Sequence, residues 1–421
     1  MAALVACQSE PSAPKSEPAK SEPAPAAKPA AAPAPVEKPP IRQEALEGGP
    51  YPTLLVSQAQ FIEQKGPDGK TIPVPGPAKL TIVRETPDGW VVSVLEDGDS
   101  NVFHKAMPYE GEILTIGGNK AMLKTWSFAS GAWKQQTHWN PKFGGKHDRL
   151  RDIEEADVDG DGKKELVIAT HDQGVIAIVH PDENWRVEQI DQQANMFVHE
   201  IEVGDVDGDG TVEIFATPSK PNKLDKEQEG EVSMYKRGAD GKWAKSIVDA
   251  PGDTHAKEIL VAQNDGQGAD ELYIVWEGAI GPGGKLARPV TIKEYHLKDG
   301  TWSSTEVATV PDRQMRAIAS GDVNGDGKMD LVAGGLGSGL WLFERAEGGW
   351  KKTQIDADSS GYEQPLTLAD LDGDGTLEVY VGSEDQGELR RYRWKDGKFE
   401  KTVIAELADG EITWNVEDAK L

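Results

Sequence analysis

Four stretches of this chain place oxygen donors at the first, third, fifth and ninth positions of a glycine-bearing loop. The first lies in ADVDGDGKKELVIAT, from Ala156, and the pattern returns in GDVDGDGTVEIFAT, GDVNGDGKMDLVAG and ADLDGDGTLEVYVG. Carboxylates spaced in this way can converge on a hard cation, Ca2+ above all, and the intervening glycines supply the positive φ that convergence needs. The expected ligand sets are Asp157, Asp159, Asp161 and Glu165 with the carbonyl of Lys163, and Asp205, Asp207, Asp209 and Glu213 with Thr211. The other two are Asp322, Asn324, Asp326 and Asp330 with Lys328, and Asp370, Asp372, Asp374 and Glu378 with Thr376. About four Ca2+ ions are therefore expected. A helix-loop-helix calcium hand would need a bidentate Glu at place twelve, where this chain has Ile168, Ala216, Ala333 and Val381. A short apolar, β-branched run follows each loop instead, so each loop lies between two strands.

A second set of residues could do different chemistry. Six positions before the first ligand place stand Arg151, His199, Lys257, Arg316 and Gln364, equivalent places on five strands, with His255 in a segment entering an inner strand and His171 in one leaving a second strand. Equivalent places in a ring converge on its axis, and a cluster of this kind can receive an anionic group such as a uronic acid, a phosphate or a partner's carboxylate. Histidine beside arginine also suits general acid and base steps, as in a polysaccharide lyase. No G-x-S-x-G nucleophile motif is present. A transition-metal site from His171, His199 and His255 ranks third, because no close HExxH-like spacing supports it. The alternative is that the cations pair with nearby acids such as Asp152, Asp172 and Glu200.

The elements that position both sets repeat. Seven hairpins share a strand, a turn of Asp, Asn or Gly, an aromatic residue and a second strand, and the aromatics are Trp90, Trp133, Trp185, Trp243, Trp302, Trp350 and Phe399. An aromatic fixed just past a hairpin turn is expected to pack between repeats. First ligand places fall at Asp157, Asp205, Gln263, Asp322 and Asp370, a period of about fifty residues that marks four-stranded propeller blades. The loop at Gln263 keeps Asp265 and Glu271 but has Gln263 and Gln267 where carboxylates would stand, so calcium there is expected to be weak or absent. The expected fold is all-β, a seven-bladed β-propeller over residues 51–421. It closes by pairing an inner strand at Ile412–Val416 with N-terminal strands at Pro52–Gln60 and Leu80–Leu95. Acid loops and hairpin turns share the bottom face, and the cationic set lies toward the top.

These loops resemble the FG-GAP and VCBS repeats of calcium-binding propellers, including the head of integrin α subunits, from about Lys79 to the C-terminus. The resemblance implies structural calcium in blade loops and roles in adhesion, carbohydrate binding or complex assembly. It does not imply one activity.

With 72 acidic against 45 basic side chains and a formal charge of -27, the chain is not expected to bind nucleic acid. No apolar run is long enough to span a membrane. Cys7 follows Leu4-Val5-Ala6 and resembles a bacterial lipobox, which would make residues 1–7 the end of a lipoprotein signal and Cys7 the lipidated residue. Residues 8–50, rich in Pro, Ala, Glu and Lys, read as a disordered tether. The expected setting is the bacterial cell envelope, on the outer membrane if the cell has one, as a monomer. A non-catalytic module that binds an anionic carbohydrate or a protein partner through its top face ranks first, ahead of an enzyme acting on acidic polysaccharide.

Overall fold

The computed structural model describes residues 49–66, 69–118, 120–145, 148–221, 228–408 and 410–421. Cys7 and the tether up to residue 48 lie outside the described residues. The rest forms seven four-stranded antiparallel sheets, as the period requires. In six of them the strands follow chain order: 103–139, 150–192, 197–249, 256–310, 315–356 and 366–406. The seventh joins the ends of the chain. Its inner strand is Ile412–Lys420, followed outward by Pro52–Lys65, Thr71–Thr86 and Gly89–Asp97. The closing register pairs Leu55 with Glu417, and Tyr51 and Leu421 exchange backbone hydrogen bonds of 2.7 and 3.1 Å. This closure covers the edges that the two terminal segments would otherwise expose.

Second strands such as Glu165–Thr170, Glu213–Ser219 and Glu378–Ser383 are buried at every residue. Their apolar runs lack alternation because both faces meet another blade. The hairpin aromatics complete these interfaces. Trp90 meets Tyr380 edge-on at 6.4 Å, Trp302 meets Phe215 at 6.3 Å and Trp350 meets Tyr273 at 6.2 Å, each across a blade boundary.

Two features differ from the expected pattern. The strands at 52–65 and 71–86 continue past a register shift at Ala59/Phe61 into a two-stranded arm that ends at the pair Lys65↔Thr71. Its second strand carries Pro73, Pro75 and Pro77, which donate no backbone hydrogen bond and so argue against a strand on sequence grounds. Between the second and third strands of the fourth sheet, Ala279–Ile280 pairs with Leu286–Arg288 as a separate two-stranded sheet.

The inner strands share a defect that builds the axial site. Register shifts fall between Phe103 and Lys105, Leu150 and Asp152, Val198 and Ile201, Ala256 and Glu258, and Met315 and Ala317. A bulge re-aims side chains and leaves a backbone group unpaired. Successive residues such as His104 and Lys105, or Arg151 and Asp152, therefore both line the axial cavity. The N–H of Ile201 is taken up by Asp152 at 2.9 Å, and that of Ile318 by Glu258 at 3.1 Å. Carboxylates of one blade thus satisfy the groups freed by the bulge in the next.

Candidate functional site

The axial cavity has a volume of about 80 Å³ and is lined in part by His104, Lys105, Arg151, Arg316, Glu363 and Trp414. The structure brings Arg151, His199, Lys257 and Arg316 together on their bulged strands, all buried. Two acids not among the expected site residues hold the guanidiniums. Glu363 pairs with Arg316 and lies 3.5 Å from the Arg151 guanidinium. Glu277 lies 3.5 Å from Arg316 Nε and 3.1 Å from His255 Nε2. Aromatic faces complete the hold, with Arg316 4.6 Å from the Tyr362 ring and Arg151 5.0 Å from that of Trp414. Glu363 precedes Gln364, whose backbone is left-handed at φ 44. A side chain of this size in that region is held there by its surroundings; its amide donates to Ser359 at 2.8 Å.

Lys257 is 4% exposed, and no carboxylate among the described residues lies within ion-pair distance of its ammonium. Burial, and after it the charge of Arg316, pushes its pKa down to about 8. His199 is 5% exposed, and among the described residues neither ring nitrogen has a hydrogen-bond partner. Burial and the Lys257 charge hold this imidazole neutral, well below its usual range. His104 donates from Nδ1 to the Leu150 carbonyl at 2.6 Å, which fixes its tautomer, and burial keeps it neutral as well.

The other two histidines sit beside this group. His171 is pushed down to about 3, by burial first, and its ring lies 4.8 Å edge-on from His199 and 4.2 Å from Phe197. Arg149 grips Asp172 through two bonds of 2.8 and 2.7 Å, so at this point the simple charge-pairing alternative describes the geometry. His255 turns to Glu277, and among the described residues the three imidazoles form no metal-holding group. Below this tier the channel changes sign. Asp152, Glu154, Glu200, Glu202, Glu258 and Glu417 act on one another there with Lys105 as their cation.

At the bottom, the first-place aspartates organise the acid loops by accepting backbone N–H groups. Asp157 accepts from Gly160 and Gly162 at 2.8 and 2.9 Å, and Asp322 from Gly325 and Gly327 at 2.7 and 2.8 Å. Asp205 and Asp370 do the same for Gly210 and Gly375. Ligand atoms converge within 4.8 Å in Asp157, Asp159 and Asp161, in Asp205, Asp207 and Glu213, and in Asp370, Asp372 and Asp374. Burial first, then neighbouring carboxylates, pushes Glu165 and Asp330 up to about 7. An all-oxygen donor set that repels itself fits Ca2+. The Gln263 loop closes on its own amide, which accepts from Gly266 at 2.7 Å and donates to the Ala269 carbonyl at 2.5 Å.

The description FG-GAP-like repeat matches residues 157–216 and 322–381, two loop-bearing pairs of blades. No curated protein sequence matches the chain. Among solved structures, a candidate 6-phosphogluconolactonase of Bacteroides fragilis aligns with TM-score 0.55 at 13% identity, over 89% of this chain and 100% of that one. A candidate 6-phosphogluconolactonase of Bacteroides uniformis aligns with TM-score 0.55 at 12% identity, covering 88% and 99%. The periplasmic gluconolactonase of Pseudomonas aeruginosa aligns with TM-score 0.50 at 13% identity, also covering 88% and 99%. At such identity the likeness is one of fold. The ranking of a non-catalytic module above an enzyme is nevertheless corrected here, because structures that share this propeller are named as enzymes. The chain is a seven-bladed β-propeller that carries FG-GAP-like repeats in two places.

Proposed function

We propose that this propeller is an enzyme acting on a small anionic sugar derivative, a sugar acid or its lactone, at the axial cluster. The observation that carries the reading is His199, a buried neutral imidazole with both nitrogens unpartnered, next to the cations Lys257, Arg151 and Arg316. A base kept neutral beside fixed positive charge suits attack of water on a carbonyl. His199 takes the proton of the attacking water, Lys257 and the guanidiniums offset the negative charge that develops on oxygen, and as the ring C–O bond breaks the imidazolium returns that proton to the leaving ring oxygen, which gives the hydroxy acid. Glu277 and Glu363 position the guanidiniums. The cavity of about 80 Å³ beside this cluster is lined by Arg151 and Arg316 and also by Asp152, Glu200, Glu258 and Glu363, and it is too small for a whole sugar, so only the acid group would reach the guanidiniums. The ring would rest at the mouth against His171 and Phe197, and the lactonase names of the fold's relatives agree with this substrate class.

His199→Gln should lower kcat for lactone hydrolysis about 10²–10⁴-fold with little change in KM. Activity should fall on the alkaline side as Lys257 loses its proton near pH 8, and Lys257→Arg should move that limb upward. Arg316, Arg151, Glu277 and Glu363 act on Lys257, so their variants would shift the limb too. A pH-stat assay on gluconolactone and 6-phosphogluconolactone reads both effects, and no turnover of either would overturn the proposal. The same base and cations would serve elimination from a uronic acid, which an absorbance rise near about 235 nm on polyuronates would report.

Calcium in the acid loops would stabilise the fold. At about 1 mM calcium and a dissociation constant on the order of 0.1 mM, each occupied site contributes about 1.4 kcal/mol. EGTA should therefore lower the melting temperature, and an unchanged curve with no calcium by elemental analysis would contradict it. A lipid anchor at Cys7 and the tether would hold the enzyme at the cell envelope, outside the cytoplasm.

A further inference from the structure

In each repeat one side chain of the third strand stands opposite the ninth-place carboxylate, one step beyond the last ladder pair. The pairs Leu166↔Val179, Ile214↔Tyr235, Leu272↔Tyr295, Leu331↔Phe343 and Val379↔Tyr392 fix this position. Its occupants are His180, Lys236, His296, Glu344 and Arg393. Residues directly opposite on an antiparallel pair lie close enough to interact strongly.

The two cations among them reach into their own loops. Lys236 Nζ lies 2.8 Å from both Asp209 Oδ2 and Glu213 Oε1 and also contacts Asp207, so it sits among three of the carboxylates expected to hold an ion. Arg393 donates twice to Glu378 Oε1 at 3.1 Å and contacts Asp372. The ninth-place carboxylates of these loops are fully engaged, since Glu213 also accepts from the Val206 N–H at 3.2 Å and Glu378 from the Tyr380 hydroxyl at 2.9 Å.

The loops at Asp157 and Asp322 are built differently. Opposite Asp330 stands Glu344, which adds a carboxylate, and Asp330 Oδ2 is a buried oxygen with no partner. Opposite Glu165 stands His180, 2% exposed, with Nδ1 3.6 Å from Glu165 Oε1 and no hydrogen-bond partner for Nε2. The lysines of these loops stay outside. Lys163 and Lys328 lie 3.7 and 4.0 Å from Asp161 and Asp326 with 56% and 64% of their side chains exposed.

We propose that the residue opposite the ninth-place carboxylate decides each loop's occupancy: Lys236 and Arg393 serve as built-in cations, and the chain takes calcium in the loops at Asp157 and Asp322 only. An ammonium or guanidinium among the carboxylates cancels the repulsion that drives ion uptake and occupies the space of the ion. The inference rests on the calcium reading above and halves the stoichiometry that the motif count alone suggests.

Equilibrium dialysis of the chelator-treated protein against calcium, with elemental analysis, tests it. The wild type should hold about two ions, Lys236→Met about three, and Lys236→Met with Arg393→Met about four. Should the double variant fail to fold without calcium, Glu344→Lys works in the other direction. It should lose one ion relative to the wild type and make the melting temperature less sensitive to EGTA. About four ions in the wild type would overturn the inference and leave the calcium reading standing, and none in the wild type or any variant would overturn both.

Discussion

Replacing Glu363 with alanine will destabilise the propeller by about 3–5 kcal/mol, because two buried guanidiniums lose their shared carboxylate. Side-chain exposure is 2% at Glu363, 5% at Arg316 and 9% at Arg151, so water cannot take the place of the lost partner. Residues of three different blades meet in this group, Arg151 and Arg316 from inner strands and Glu363 from the segment that enters one, and its loss should be felt as global rather than local unfolding. Urea titration of the variant should show a lower midpoint with an unchanged slope. A loss under about 1 kcal/mol would mean that the pair behaves as a solvated surface pair instead.

Lys105→Met is the second large effect, and it depends on pH. Burial, and after it Asp152 beside Glu200 and Glu154 beside Glu202, raises those carboxyls well above their usual range. Burial likewise raises Glu258, and it pushes Glu417 up to about 7. A carboxyl whose folded pKa is raised contributes stability that is fully present below its unfolded value of about 4.5 and is lost as pH rises through the folded value. Lys105 offsets that loss at neutral pH. Without it, stability should fall by about 3–5 kcal/mol at pH 8 and by less at pH 5, where the raised carboxyls carry protons and Asp152, held low in part by Lys105, stays charged. The acid limit comes from groups of the opposite sign. Against the effect of burial, Lys257 holds Glu277 low, and His171 with Arg149 holds Asp172 low. Their contributions are present above the unfolded value and vanish as pH falls. Melting temperature of the variant and wild type across pH 5–8 reads the difference, and a pH-independent gap would contradict this account of the channel.

The architecture was legible because its signals are local. The acid loops announce themselves within nine residues, each aromatic sits at a fixed place after its turn, and the unpaired inner strand at the C-terminus matches three unpaired strands near the N-terminus. The cationic ring was also legible, since counting back from the first ligand place finds Arg151, His199, Lys257 and Arg316 on equivalent strands. What that count missed was pairing across blades. Glu363 lies far in sequence from Arg151 and Glu277 far from Arg316, and the count, which names one place per inner strand, passes over both. The bulges were hidden for a related reason: a register shift is a relation between two strands, and the strand's own residues do not state it. Lys236 and Arg393 become part of the acid loops only through ladder register, some twenty residues after the motif ends. The arm at 61–75 lies outside the expected strands, which stop at Gln60 and resume at Leu80; its prolines argue against a strand only where both edges are paired.

The most direct test of the axial site is a crystal structure of the protein soaked with an aldonic acid. The account predicts that the acid group binds at the axial cluster within hydrogen-bond distance of the Lys257 ammonium, with His199 facing the neighbouring carbon. Density for the ligand elsewhere on the propeller, with Lys257 and His199 unchanged, would contradict it.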